Sequence, residues 1–233
     1  ENAGLCEYPD LILGRFPSSF LALPEAVLIT AMRLHQKFFA LRDQNGQLAP
    51  AFIFILDGKY ADKSKITRGA ERVLKARLSD AYFFYETDQK DSLKTRLKAL
   101  EPIIFHQKLG SIYAKSERVV ALAKFIALFV PHAKLTLVEE AASLAKTDLT
   151  TLMVNEFPEL QGIIGYHYAL KQGHDEAVAL AIKEHYWPNH AQDQIPQSAT
   201  SIAVALADKL DSLVALYVAG ERATTSKDPF AMR

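Results

Sequence analysis

The sequence predicts an α+β protein in two parts. Residues 1–100 read as a small N-terminal α+β module built around a β-hairpin, and residues 101–233 as an all-α domain. Two observations carry this reading. Residues 37–56, "KFFALRDQNGQLAPAFIFIL", hold two runs rich in Phe, Ile and Leu on either side of Asn45-Gly46, the dipeptide that supplies positive φ in hairpin turns. From Lys65 onward apolar residues recur at helical spacing, and no convincing strand follows about residue 57.

Taken in order, "PEAVLITAMRLHQ" (24–36) reads as a helix with Pro24 in the favoured first turn. The hairpin follows, and then the long helical pattern that opens at "KITRGAERVLKARLSDAYFFYETDQK". Gly110, Gly173 and Pro188 punctuate the later helices, and Pro196 with Ser198 or Thr200 starts the last one. In that helix, "SIAVALADKLDSLVALYV" (201–218), Ile202, Leu206, Leu210, Leu213 and Tyr217 form the stripe expected to face the core. Asp208 falls among Val204, Ala205, Ser212 and Ala215, where side chains are small and another backbone could approach closely. A carboxylate half buried there needs a cationic or hydrogen-bonding partner. Lys146 and Arg118 are the nearest candidates, and Asp211, one turn on, is expected nearer solvent.

Composition narrows the function. Twenty-seven Lys and Arg balance 27 Asp and Glu, so polyanion binding would have to come from a local patch. Cys6 is the only cysteine, which excludes an internal disulfide and a zinc site built on several thiolates. Runs such as "AFIFIL" and "KFIALFV" fall short of the roughly 20 apolar residues that span a bilayer, and no signal peptide precedes them. A soluble, cytoplasmic protein with no membrane partner is therefore expected. The start at Glu1 and the close on "KDPFAMR" suggest a piece of something longer.

Few groups carry chemistry. His106, read here as lying on a helix, and His167 and His185 are each expected to be hydrogen-bonded structural residues. His174-Asp175 invites a metal-site reading, but Gly173 before it and "DEAVALAIKEH" after it make Asp175 a helix N-cap. The stretch 59–77 holds seven basic residues, and Lys65, Arg68, Arg72, Lys75 and Arg77 recur at spacings that can build one ridge suited to phosphates. No Gly-rich phosphate loop, nucleophile elbow or paired cysteine nucleophile is present, so no catalytic residue is assigned.

Several stretches together resemble the β subunit of the bacterial tetrameric glycyl-tRNA synthetase. They are "GAERVLKARLSDAYFFYETD" (69–88), "FHQKLGSIYAKSERV" (105–119), "AASLAKTDLTTLMVNEFPELQGIIGYHYA" (141–169), "AIKEHYWP" (181–188), "VALADKLDSLVALY" (204–217) and "TTSKDPFAMR" (224–233). The resemblance implies an internal fragment of a longer subunit that binds glycine tRNA and holds the assembly together. Its partner would be the α subunit, with a second β subunit allowed, and ATP and magnesium would be used on the α subunit. The fragment itself would need no cofactor and would be inactive alone. The helical half is also similar to the HD superfamily, whose metal site would fall on His106, Thr147-Asp148 and Asp208. Here Thr147 replaces the second histidine and Lys146 stands before it, so a degenerate site without metal is expected. Ala70 stands where the family usually has Asn. A metal-dependent phosphohydrolase using His106, Asp148 and Asp208, or the His174-Asp175 pair, is the alternative from another class, and a helical interaction scaffold is the third; Thr147 counts against the first of these.

Overall fold

The computed structural model describes residues 6–34, 36–60, 62–223, 228 and 230. They fall into two compact units, Glu1–Asp88 and Gln89–Arg233.

The first unit contains β1 (Pro9–Arg15), α1 (Glu25–Leu34), β2 (Phe39–Arg42), β3 (Leu48–Asp57) and α2 (Lys63–Asp88). The sheet is antiparallel with order β1-β3-β2. The predicted hairpin is β2–β3. At its turn the Asp43 carboxylate accepts from the backbone N–H of Asn45 (2.8 Å) and Gln47 (2.9 Å), while Gly46 takes φ +78°. The sequence pattern does not mark the first strand. "DLILGR" is apolar on both faces, with Ile12 buried and Leu11 and Leu13 exposed, so it lacks the alternation of a half-buried strand. The predicted helix 24–36 is α1, which stops at Leu34; His35 lies outside the described residues.

The core of this unit is aromatic. Phe52 is fully buried and stacks on Phe38 with ring centroids 4.6 Å apart, and Phe54 completes the cluster. Gly14, paired with Phe52 across the strands, leaves room for the ring: a Cβ there would lie 2.4 Å from Phe52 Cζ. From α1, Val27, Leu28, Ala31 and Met32 are buried; α2 buries Leu74, Leu78, Ala81 and Tyr85, the 4-3-4 stripe of an amphipathic helix.

The second unit begins at residue 89 rather than 101. Leu93 and Leu100 are fully buried, and the Leu93 N–H donates to Gln172 Oε1 at 2.9 Å, which ties the segment after α2 to the helices that follow. A two-stranded hairpin comes first, β4 (Ile104–His106) and β5 (Gly110–Ser111). Two expectations are corrected by it: strands do occur after residue 57, and His106 lies on one of them. Three residues are too few to display a period, and Gly110 at φ +84° turns the chain into the next helix.

That helix is α3 (Ile112–Ala127), N-capped by Ser111, whose Oγ accepts from Ala114 N. It is followed by α4 (Leu135–Leu144), α5 (Leu152–Glu156), α6 (Ile163–Lys171), α7 (Glu176–Glu184) and α8 (Ala199–Ala219). Asp175 caps α7, accepting from Ala177 N at 2.8 Å, as its sequence context implies. Ser198 caps α8, accepting from Ser201 N at 3.1 Å, and Gly220 closes it in the left-handed conformation. At that C-terminus the Lys108 ammonium donates to the Ala219 carbonyl at 2.8 Å, a cation where the helix dipole favours one.

The orientation of α8 is the reverse of the predicted one. Its buried face is Ser201, Ala203, Val204, Ala207, Asp208 and Asp211, packed against α3, α4 and α7, whereas Leu206, Leu210, Leu213 and Tyr217 are exposed and Ile202 is half-buried. Small side chains let neighbouring backbones approach, and the buried aspartates are paired by cations from elsewhere in the unit. No helix among the described residues is long and apolar enough to cross a membrane.

Candidate functional site

The polar centre of the second unit is a cluster in which lysines close around carboxylates. Lys115, on α3, places its ammonium 2.9 Å from Asp208 Oδ1, 3.3 Å from Asp211 Oδ2 and 2.7 Å from Ser212 Oγ. Lys146 lies 3.1 Å from Asp208 Oδ2 and 4.0 Å from the centre of the Tyr186 ring. Arg118 grips Asp211 with two bonds, Nε to Oδ1 at 2.7 Å and Nη2 to Oδ2 at 3.1 Å. The Lys115 to Asp208 Oδ1 contact is an ion pair whose angle is poor for a hydrogen bond, so that oxygen is satisfied by charge rather than by a directed bond.

Asp148, fully buried, accepts from the Gly162 N–H through Oδ2 at 2.6 Å, while its Oδ1 has no hydrogen-bond partner among the described residues. Gly165 lets α6 come this close: a Cβ there would lie 3.0 Å from Asp148 Oδ2 and 2.8 Å from Ile182 Cγ2. His185 is also fully buried. Its Nδ1 is 2.7 Å from the Ile182 carbonyl and therefore carries the proton, leaving Nε2 as an acceptor without a hydrogen-bond partner among the described residues. Gln161 donates to the Tyr186 hydroxyl on the same side of the cluster.

Charge states follow from this packing. Burial pushes the Asp148 carboxyl up to about 6, against the opposing pull of Gly162 N–H and Lys146. Burial likewise pushes the His185 imidazole down to about 3, with the Lys146 charge adding to it, so the ring is neutral near pH 7. Burial alone would raise Asp208, but Lys146, His185 when protonated, and Lys115 together hold it well below the usual carboxylate range. Burial lowers the Lys146 ammonium even though Asp208 opposes the change. The geometry settles the state of the pair: Asp208 meets two ammonium groups, so it is the carboxylate of an ion pair.

The raised Asp148 gives a pH signature. Its carboxyl is near 3.8 when unfolded and about 6 when folded, so the folded state favours the protonated form. Stability from this group is complete below pH 3.8 and is lost as pH rises through 6, a difference of about 3 kcal/mol at about 1.4 kcal/mol per unit. Asp148→Asn is therefore expected to gain stability relative to the parent protein between pH 4 and 7, up to about that amount. Urea melts of both proteins across this range check it, and parallel pH profiles would show that Asp148 ionises as easily folded as unfolded.

The structure brings together part of the degenerate HD set. Lys146, Asp148 and Asp208 share the cluster, and Thr147, fully buried, donates its hydroxyl to the Leu144 carbonyl. His106 is engaged elsewhere: Nδ1 accepts from Lys108 N, and Nε2 donates to Glu221 Oε1 at 3.2 Å. Among the described residues no group of three His, Cys, Asp or Glu is placed to hold a metal ion, so the set required by the phosphohydrolase reading is not assembled. His174 pairs with Glu140 at 2.7 Å. Two expectations about α8 are corrected. Arg118 binds Asp211 instead of Asp208, and Asp211 is as buried as Asp208.

Sequence reasoning missed Lys115 and Tyr186; His185 is the hydrogen-bonded structural residue expected, but its place in this cluster was not read. A signal for the first existed: Lys115 and Arg118 are three residues apart, as are Asp208 and Asp211, so two helical cations match two helical carboxylates.

In the first unit the basic ridge runs along α2. Lys65, Arg68, Arg72 and Lys75 are all exposed and lie on one side of the helix. Lys65 makes a surface contact of 3.8 Å with Asp62, whereas Arg68, Arg72 and Lys75 have no acidic partner among the described residues. Arg77 is half-buried and lies roughly 120° round the helix from Lys65, off this ridge.

Fold and site define a class: an α+β chain with a cationic helix in one unit and a charge-balanced, lysine-filled centre in the other. The family model described as glycyl-tRNA synthetase beta subunit matches residues 1–233. The glycine–tRNA ligase beta subunits of Rickettsia felis and Marinobacter nauticus are each 47% identical over the whole chain. That of Bacillus subtilis is 46% identical over 98% of it. The chain spans about a third of the length of these relatives, 34% in each case. It belongs to the glycyl-tRNA synthetase beta subunit family.

Proposed function

We propose that this chain is part of the β subunit of a glycine–tRNA ligase and contributes tRNA binding and subunit assembly to the formation of glycyl-tRNA. Activation of glycine, with ATP and magnesium, belongs to a separate α subunit in a cytoplasmic heterotetramer. The observation that carries this reading is the family match over the full chain, from 1 to 233. The lysine-filled centre of the helical unit agrees with it, because both oxygens of Asp208 are taken by ammonium groups and none is left for a reacting substrate.

The RNA contact is assigned to Lys65, Arg68, Arg72 and Lys75. These four cations extend over about 15 Å of helix, and three have no acidic partner among the described residues, which leaves them available to phosphates. The test uses the complete α/β enzyme carrying Arg68→Ala, Arg72→Ala and Lys75→Ala together. The expected result is weaker binding of glycine tRNA and a log–log salt slope flatter by about 0.7–0.9 for each phosphate that is no longer neutralised. Glycine-dependent ATP–pyrophosphate exchange should be unchanged. An unaltered salt slope would reduce the ridge to a solvated helix face.

A further inference from the structure

We propose that the outward face of α8 is a docking seam for another α-helix, and that this helix belongs to the same subunit, from the part of the family's length that this chain does not span. Leu206, Leu210, Leu213 and Tyr217 follow the 4-3-4 spacing of a helix-packing seam, and all four are exposed. Val214 and Val218, at 58% and 76% exposure, widen it on one side. Six large apolar side chains within 13 residues of one helix exceed the scattered exposure usual on a finished surface.

Hollows suited to a partner's side chains flank the seam. One of about 310 Å³ is lined by Trp187, Pro188, Ile195, Pro196, Ile202 and Leu206 among others, almost wholly apolar. Another, of about 510 Å³, lies along Leu213, Val214 and Tyr217 toward the helix end. RNA does not suit this face: the Lys209 ammonium and the Arg222 guanidinium beside it are already bonded to the carbonyls of Tyr186 and Tyr217, and the Leu and Val side chains between them present hydrocarbon.

The same subunit is the occupant on grounds of length. The chain covers 34% of its relatives, so about two thirds of the family's polypeptide lies outside it. A segment joined covalently meets the seam at high effective concentration and covers it in every copy, however dilute the protein. A second copy would cover it only when concentrated. The inference is independent of RNA binding and stands or falls apart from the basic ridge.

Peptide-resolved alkylation of the full-length subunit tests this, with Val214→Cys and Val218→Cys as conservative probes. In the folded subunit without α subunit or tRNA, both thiols should react at least about tenfold more slowly than in urea, at a rate independent of protein concentration, because reaction must wait for local opening. Reaction near the urea rate would mean a bare face and overturn the proposal. Protection that appears only on raising the concentration would assign the seam to a second copy, and protection only on adding α subunit or tRNA would assign it to that partner; either result overturns it.

Discussion

Asp208→Ala is expected to destabilise the helical unit by about 3–5 kcal/mol, because it leaves the buried Lys146 ammonium with no carboxylate at ion-pair distance among the described residues. Asp211→Ala belongs to the same class. Its carboxylate is equally buried and holds Arg118 by two bonds and Lys115 by a third, so its removal should cost far more than the 0–1 kcal/mol or so of a surface pair. Adding Lys146→Met to Asp208→Ala should recover part of the stability by removing the orphaned cation. Denaturant melts followed by Trp187 fluorescence measure all three, since Trp187 is the only tryptophan and lies in the helical unit. Effects below about 1 kcal/mol for both aspartates would mean that the cluster is solvated.

The second large effect lies in the α+β unit. Phe52→Ala should cost about 3–5 kcal/mol, the usual penalty for emptying a fully buried aromatic site. The ring fills the space that Gly14 leaves open and stacks on Phe38, so few neighbours can collapse into the void without giving up packing of their own. Hydrogen exchange at the β1 and β3 amides reports the change as faster opening of the sheet. Exchange unchanged from the parent would show that the site can close up.

Much of the secondary structure is legible because it follows local rules. Asn45-Gly46 marks the hairpin, Asp175 and Ser198 mark helix starts, and the apolar spacing of α2 marks its buried stripe. What fails is the assumption that large apolar side chains face inward. In α8 the inward positions go to Ala, Ser and two aspartates, a choice that depends on cations 62 and 93 residues away in sequence. No local period encodes such a partner. The strand at Pro9–Arg15 escapes notice for a related reason, since exposed Leu11 and Leu13 mask its alternation.

The cluster is half legible. Asp208 and Lys146 can be paired by reasoning that a buried charge must be balanced, yet Lys115 enters only when the fold lays α3 against α8. His106 is separated from them because it lies on the β4–β5 hairpin, where its imidazole serves Glu221 and the local turn.

Neutralising buried carboxylates with lysine has a consequence for how the helical unit comes into being. A bound ion must be captured from solution, competes with chelators and other metals, and makes folding follow supply. Lys115 and Lys146 arrive with the polypeptide, one of each for every copy made, and cannot be exchanged or stripped. The counter-charges of this centre are thus present as soon as its residues are translated, and their supply is set by the gene alone rather than by the ionic state of the cell.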